Sequence, residues 1–108
     1  GTAHPAFAVV SDLLDRGKAW LKLSGAYLDS LVGAARHYDD MDPVAKAWVG
    51  AAPERLVWGS DWPHPTEAWH KPDDALLYDL LAQWAGSQEI RRKILVDNPA
   101  LLYGFEAA

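Results

Sequence analysis

The chain has 108 residues, which is enough for one small domain with a modest hydrophobic core. Half of the residues are hydrophobic and 23% are charged, a composition typical of a folded globular protein and not of a disordered segment. The net charge is −5 and the basic residues form no cluster, so a nucleic acid is not expected as a partner. No apolar run is long enough to cross a bilayer, so a membrane is not expected as a partner either. The absence of cysteine excludes disulfides and thiolate metal sites and is typical of a cytoplasmic protein.

The first half of the chain alternates between helical and strand patterns. Apolar residues at helical spacing predict a helix over residues 5–16, and strict alternation predicts a strand over residues 19–25. The helical pattern returns over residues 29–52 in two segments. Asp42 and Pro43 announce the second segment, as a capping carboxylate followed by proline in the first turn.

The second half repeats this order and then continues with helices only. Residues 55–61 predict a second strand, and a turn-rich stretch separates it from an amphipathic helix that Asp73 or Asp74 can cap. A last short helix is expected to begin at Asn98-Pro99.

The order α, β, α, β, α, α predicts an α/β fold built from parallel β/α units. Two strands alone make a poor parallel sheet, so residues 1–108 are interpreted as a single partial domain of a larger α/β layer. Its two strand edges would be unpaired, and we expect a homo-oligomer if the chain is stable by itself.

The stretch ERLVWGSDWPHP, residues 54–65, contains the strongest catalytic candidate. Asp61 stands at the carboxyl end of the second predicted strand, where barrel enzymes place their chemistry. Gly59 leaves space beside the carboxylate, Trp62 could help to exclude water, and flanking prolines would hold His64 nearby. The same residues also describe an ordinary turn in which Asp61 caps backbone N–H groups, and both interpretations remain open.

Further polar residues lie near the ends of the predicted strands. Ser24 and Tyr27 follow the first strand and are candidate substrate hydrogen-bonding groups, with an ordinary turn as the alternative. Lys22 is expected to pair with an interior carboxylate. A Ser-His-Asp triad is not predicted, because GSDWP lacks the Gly-x-Ser-x-Gly pattern and strand alternation directs Ser60 away from Asp61. Three tryptophans are expected to be packing residues: Trp48, Trp69 and Trp84.

A metal site is not predicted in this chain. A catalytic Zn²⁺ normally takes three protein ligands, whereas Asp61 and His64 supply two. His70 could complete a set, but its spacing matches no established motif.

Three sequence blocks resemble the amidohydrolase superfamily, and more narrowly its branch of 2-pyrone-4,6-dicarboxylate lactonases and sulfomuconolactonases. The blocks are WLKLSGAY at 20–27, PERLVWGSDWPHP at 53–65 and NPALLYGF at 98–105. The resemblance implies a distorted (β/α)8 TIM barrel of which this chain is the C-terminal portion. The two predicted strands would be strands seven and eight, and the chain would run roughly α6-β7-α7-β8-α8 with a short terminal helix.

The resemblance also implies a role for Asp61. In the family the strand-eight Asp is the general base that activates water, or a ligand of a divalent metal such as zinc in metal-dependent relatives. The family's His-x-His pair is absent from this sequence, and its strand-six His would precede Gly1. Leu28 stands where the branch often has an arginine. The isolated chain is therefore expected to be inactive.

Three functions follow as hypotheses, and the first two imply a small-molecule substrate. The first is a hydrolase that directs water at a lactone or cyclic ester or amide carbonyl, with Asp61 as base and His64, Ser24, Tyr27 and Trp62 as substrate contacts. The second is a metal-dependent decarboxylase or hydratase of the same superfamily. The third is a non-catalytic, self-associating barrel fragment.

Overall fold

The computed structural model describes residues 1–105, and its regular elements follow the predicted order of helices and strands. The two strands are β1 (Leu21–Leu23) and β2 (Leu56–Trp58). The helices are α1 (Pro5–Asp15), α2 (Ala26–Asp29), α3 (Asp42–Ala51), α4 (Asp74–Ala85), α5 (Gln88–Arg92) and α6 (Asn98–Tyr103). Short 3₁₀ turns span Ala34–Arg36, Asp39–Met41 and Pro53–Arg55, and a π-helical turn over Lys93–Asp97 joins α5 to α6.

The two strands pair in parallel, with Leu21 opposite Leu56 and Lys22 opposite Val57. Paired residues of neighbouring strands share a face of the sheet. Leu21 and Leu56 therefore point to one side, where the helices pack, while the Lys22 side chain is exposed on the other. The expected parallel β/α arrangement is confirmed for these two strands.

A single hydrophobic core fills the space between the sheet and the helices. Leu56, Leu81 and Ile94 are its most completely buried large side chains. Phe7 of α1 stacks on Trp48 of α3 with ring centroids 4.1 Å apart, which fastens the first helix to the core. Within residues 1–105, no helix is both long enough and apolar enough to cross a bilayer.

Several predicted boundaries are wrong. Each strand has three residues instead of seven. The chain leaves extended geometry before Gly25 after β1 and before Asp61 after β2, and these residues have φ values of 67° and 64°. The helical pattern predicted over residues 29–52 forms a regular helix only from Asp42 onward. Between α2 and α3 the backbone turns at Gly33 and takes left-handed conformations at His37 and Tyr38, which continuous helix cannot include.

Of the two capping predictions, the one for α4 is confirmed and the one for α3 is wrong. Asp73 caps α4, accepting a hydrogen bond from the Ala75 N–H at 2.8 Å. Asp42 is not a side-chain cap of α3. Its carboxylate accepts instead from the Trp84 indole N–H at 2.8 Å and from the Gln83 side-chain amide at 3.3 Å, so it joins α3 to α4.

The last helix is anchored beneath β2 by one buried side chain. Asn98 is 5% exposed, and its Nδ2 donates to the carbonyl oxygens of Pro53 and Leu56, each at 2.7 Å. The predicted start of a helix at Asn98 is confirmed, and the amide fixes the start of the strand that leads to Asp61.

Candidate active site

Asp61 lies just beyond the carboxyl end of β2, in a tight turn. Its φ of 64° is left-handed, a conformation in which Asp, Asn and His occur several-fold more often than other non-glycine residues. The His64 N–H donates to the Asp61 carbonyl oxygen at 2.7 Å and closes the turn, and His64 itself has a φ of 57°. The backbone therefore forms a turn, but within residues 1–105 the Asp61 carboxylate caps no backbone N–H group, and the residue is partly exposed.

Tyr27 is the direct partner of this carboxylate. It belongs to α2, the short helix that follows β1, and its hydroxyl donates to Oδ2 of Asp61 at 2.5 Å. Burial first, then the hydrogen bond and negative charge of Asp61, raise the pKa of Tyr27 from 10.0 to about 12. The phenol is therefore a neutral donor at physiological pH. Within residues 1–105, the other carboxylate oxygen of Asp61, Oδ1, has no hydrogen-bond partner.

His64 supports the other side of Tyr27. Its side chain is 3% exposed, and its ring meets the Tyr27 ring edge to face with centroids 5.5 Å apart and planes at 87°. Nε2 of His64 lies 2.8 Å from Oδ1 of Asp74, in the first turn of α4. Lys71 completes the support, because its ammonium donates to the carbonyl oxygens of Pro63 and His64, both at 2.8 Å.

The remaining predicted site residues lie at the same end of the sheet but are not joined to Asp61. Ser24 is exposed directly after β1, and Trp62 is 74% exposed beside Asp61. Ser60 accepts a hydrogen bond from the Trp62 N–H, and His64 pairs with Asp74, so these residues form no Ser-His-Asp triad.

Trp69 does not pack in the core as predicted. It is 90% exposed on the loop after β2, whereas Trp48 and Trp84 are buried at 8% and 6%. Helical spacing identified Trp84 correctly, but the loop gave no periodic pattern from which the burial of Trp69 could be judged.

Lys22 extends across the sheet at the position of Gly59. A Cβ atom placed on Gly59 would lie 2.5 Å from Cε and 3.0 Å from Nζ of Lys22, so the missing side chain makes room for the lysine. The expected ion pair between Lys22 and an interior carboxylate is not observed within residues 1–105.

The residues present do not form a metal site on their own. One oxygen of Asp61 is engaged by Tyr27, and Nε2 of His64 is engaged by Asp74. No group of three His, Cys, Asp or Glu side chains suited to a metal ion occurs in the part of the chain that the structure describes. His70 is exposed and completes no such set.

The sequence alone does not reveal the contacts that Asp74 and Lys71 make at this site. Ten residues separate His64 from Asp74, a spacing that follows neither helical nor strand periodicity. Lys71 binds backbone carbonyls, which any sequence supplies, so no residue pattern announces the contact.

Comparison with known proteins identifies a family and several individual proteins that this chain resembles. The model of the amidohydrolase family matches residues 1–105. Among curated proteins, the chain is 41% identical over 106 residues to a 4-sulfomuconolactone hydrolase of Hydrogenophaga intermedia, covering 96% of this chain and 34% of that protein. It is 36% identical over 104 residues to a D-galactarolactone isomerase of Agrobacterium fabrum, covering 94% of this chain and 35% of that protein.

Solved structures agree with this relationship. An apo crystal structure from Agrobacterium tumefaciens superposes with a TM-score of 0.85 at 34% identity, covering all of this chain and 38% of that one. A Pseudomonas putida structure named for 2-pyrone-4,6-dicarboxylic acid hydrolysis superposes with a TM-score of 0.74 at 32% identity, covering all of this chain and 39% of that one. The chain thus spans between a third and two fifths of the length of these relatives.

Proposed function

Because the chain belongs to the amidohydrolase family, we propose that the protein containing it hydrolyses a lactone, with Asp61 as the general base. The observation that carries the proposal is the placement of Asp61. Its carboxylate lies at the carboxyl end of a parallel strand, with Oδ2 held by Tyr27 and Oδ1 without a partner among residues 1–105. The names of the relatives that act on lactones support the choice of substrate class.

We propose further that residues 1–108 form one partial domain, the last two β/α units of a (β/α)8 barrel. In that arrangement β1 and β2 are strands seven and eight, and the face that carries Lys22 looks into the barrel. The parallel pairing, the helices on the opposite face and the partial coverage of the relatives support this placement. The loops that follow both strands then border the active site, as in other barrel enzymes.

The proposed reaction is attack of water on the lactone carbonyl. Oδ1 of Asp61 accepts a proton from the water as its oxygen forms a bond to the carbonyl carbon. The tetrahedral intermediate collapses with cleavage of the ring C–O bond, and the leaving alkoxide or enolate takes from Asp61 the proton that the water lost. The new carboxylic acid then ionises and releases one proton to solvent. The products are a carboxylate and a hydroxyl or keto group in one open chain. This chain supplies the base and its support.

Substrate contacts are proposed from the exposed residues at the strand ends. Ser24 offers a hydroxyl, and Trp62 offers an exposed indole face beside the base. Glu67 and Asp74 add negative charge around Tyr27, while Lys71 is already engaged with backbone carbonyls. Lys22 is the nearby cation without a partner among the described residues, and it is our candidate to contact an anionic group of the substrate.

The test is Asp61→Asn in the complete gene product that contains this chain. Asparagine keeps the tolerance for a left-handed backbone, so the turn survives and only the base is removed. Hydrolysis of 4-sulfomuconolactone, 2-pyrone-4,6-dicarboxylate and galactarolactone would be measured through the acid that each reaction releases. For any lactone that is turned over, kcat should fall at least ~10²-fold. Asp79→Asn, on the exposed face of α4, is the matched control and should leave kcat unchanged. An unaltered rate in Asp61→Asn would remove Asp61 from this role.

A second candidate function is isomerisation of a lactone. The relationship to the D-galactarolactone isomerase favours it, and a carboxylate base serves proton transfer within a substrate equally well. The two reactions differ in their products, because hydrolysis consumes water and releases acid whereas isomerisation does neither. A change in the ¹H NMR spectrum of the lactone without acid release would therefore identify an isomerase.

A further inference from the structure

The Tyr27 phenol lies between the candidate base and the buried His64, in contact with both. We propose that Tyr27 is a positioning residue that fixes the Asp61 carboxylate in a single orientation, holding Oδ2 so that Oδ1 faces the reacting water. The catalytic consequence rests on the proposed function. The orientation itself does not, and it can be measured without a substrate.

The geometry supports a rigid arrangement. The hydrogen bond from Tyr27 to Oδ2 of Asp61 joins α2, the helix that follows β1, to the turn that follows β2. The tyrosine ring also packs edge to face with His64, whose Nε2 is paired with Asp74 at the start of α4. A carboxylate without such a partner would be free to rotate about its two side-chain torsions.

The chemistry of the phenol argues against a direct role on the substrate. A tyrosine hydroxyl has one proton to donate, and this one is used by Asp61. A lactone carbonyl needs hydrogen-bond donors as charge develops on its oxygen, and Tyr27 can offer it only lone pairs. The raised pKa of Tyr27 keeps the proton on the phenol, which agrees with a permanent donor to Asp61. Tyr27 is therefore better suited to hold the base than to bind the carbonyl.

The first measurement is the side-chain rotamer of Asp61 in the complete gene product, read at pH 7 from the three-bond N–Cγ and C′–Cγ NMR couplings. The wild type should show couplings of one rotamer, and Tyr27→Phe should show averaged couplings. Tyr103→Phe is the matched control, because Tyr103 is 66% exposed on α6, and it should leave the couplings of Asp61 unchanged. Identical couplings in the wild type and Tyr27→Phe would overturn the proposal.

The second measurement separates positioning from substrate binding, with 4-sulfomuconolactone as the probe. Loss of a hydrogen bond to a charged catalytic group should lower kcat about 10- to 100-fold while KM changes less than about threefold. A raised KM with kcat retained would assign Tyr27 to substrate binding and overturn the proposal.

The two measurements also distinguish this proposal from the proposed function. If Tyr27→Phe releases Asp61 but the wild type turns over no lactone, the positioning role stands and the hydrolase proposal fails. If Asp61→Asn abolishes lactone hydrolysis while Tyr27→Phe changes neither couplings nor kcat, the hydrolase proposal stands and the positioning role fails.

Discussion

The side-chain amide of Asn98 should contribute more to the free energy of unfolding than any other single polar side chain among residues 1–105. Its Nδ2 donates to the carbonyl oxygens of Pro53 and Leu56, each at 2.7 Å, and the second bond is buried. Asn98→Ala removes two hydrogen bonds, each worth about 1 kcal/mol, and withdraws the amide donor from two carbonyl oxygens, one of them in a buried contact, which adds about 1–2 kcal/mol. We therefore expect the free energy of unfolding to fall by about 3–4 kcal/mol.

Urea unfolding followed by tryptophan fluorescence would measure this loss. With a slope of about 2 kcal/mol per molar urea, the midpoint should fall by about 1.5–2 M. Asn98→Asp should destabilise at least as much, because it places carboxylate oxygen where a donor faces two carbonyls. Gln88→Ala is the matched control, since Gln88 is exposed on α5, and it should change stability by less than about 0.5 kcal/mol. Asn98→Ala within that same margin of the wild type would refute the reasoning.

Three further outcomes are expected. Gly25 has a φ of 67°, and a Cβ there would lie 3.0 Å from Leu28, so Gly25→Ala should cost about 1–2 kcal/mol in urea unfolding. Gly59→Ala should cost less than about 1 kcal/mol by the same assay, because the only clash is with the flexible end of Lys22; a larger cost would show that Lys22 is fixed. Tyr27, with a pKa raised from 10.0 to about 12, contributes stability that is complete below pH 10 and lost as the pH rises to 12. The pKa difference corresponds to at most about 2.7 kcal/mol of unfolding free energy, and the partial exposure of Tyr27 to solvent reduces the expected loss to about 1 kcal/mol. Tyr27→Phe should show a correspondingly flatter decline of stability between pH 10 and 12, and an equally steep decline would contradict this origin.

The parts of the fold that could be predicted are those in which local pattern and packing agree. α1 was expected over residues 5–16 and spans Pro5–Asp15, because its apolar spacing faces the core and Gly17 ends it in a left-handed conformation. The parallel order of the strands followed from the long connection between them. Asp61 could be singled out as the candidate base because barrel enzymes place their chemistry at the carboxyl ends of strands, and Asp61 lies three residues beyond Trp58, the last residue of β2.

The connection between β1 and α3 could not be predicted because side chains, and not periodicity, determine its path. Asp40 accepts hydrogen bonds from the Ser30 hydroxyl at 2.6 Å and the Leu31 N–H at 2.7 Å, which replace helical bonds at that point. These bonds, the Ser30 one first, lower the pKa of Asp40. Ser and Asp side chains compete in this way with helix formation, so a stretch with helical spacing of apolar residues became two 3₁₀ turns.

The strand register is what brings the candidate site together. Tyr27 lies four residues beyond Leu23, and Asp61 lies three residues beyond Trp58, the residue paired with Leu23. A slip of one residue would displace one strand by about 3.3 Å along the other, more than the 2.5 Å that separates the Tyr27 and Asp61 oxygens. A one-residue slip of β1 would also turn the buried Leu23 away from the helices and direct Lys22 into the core. The hydrophobic pattern that determines the register therefore also determines the hydrogen bond, and the position of Asp61 follows from the packing of the core beneath it.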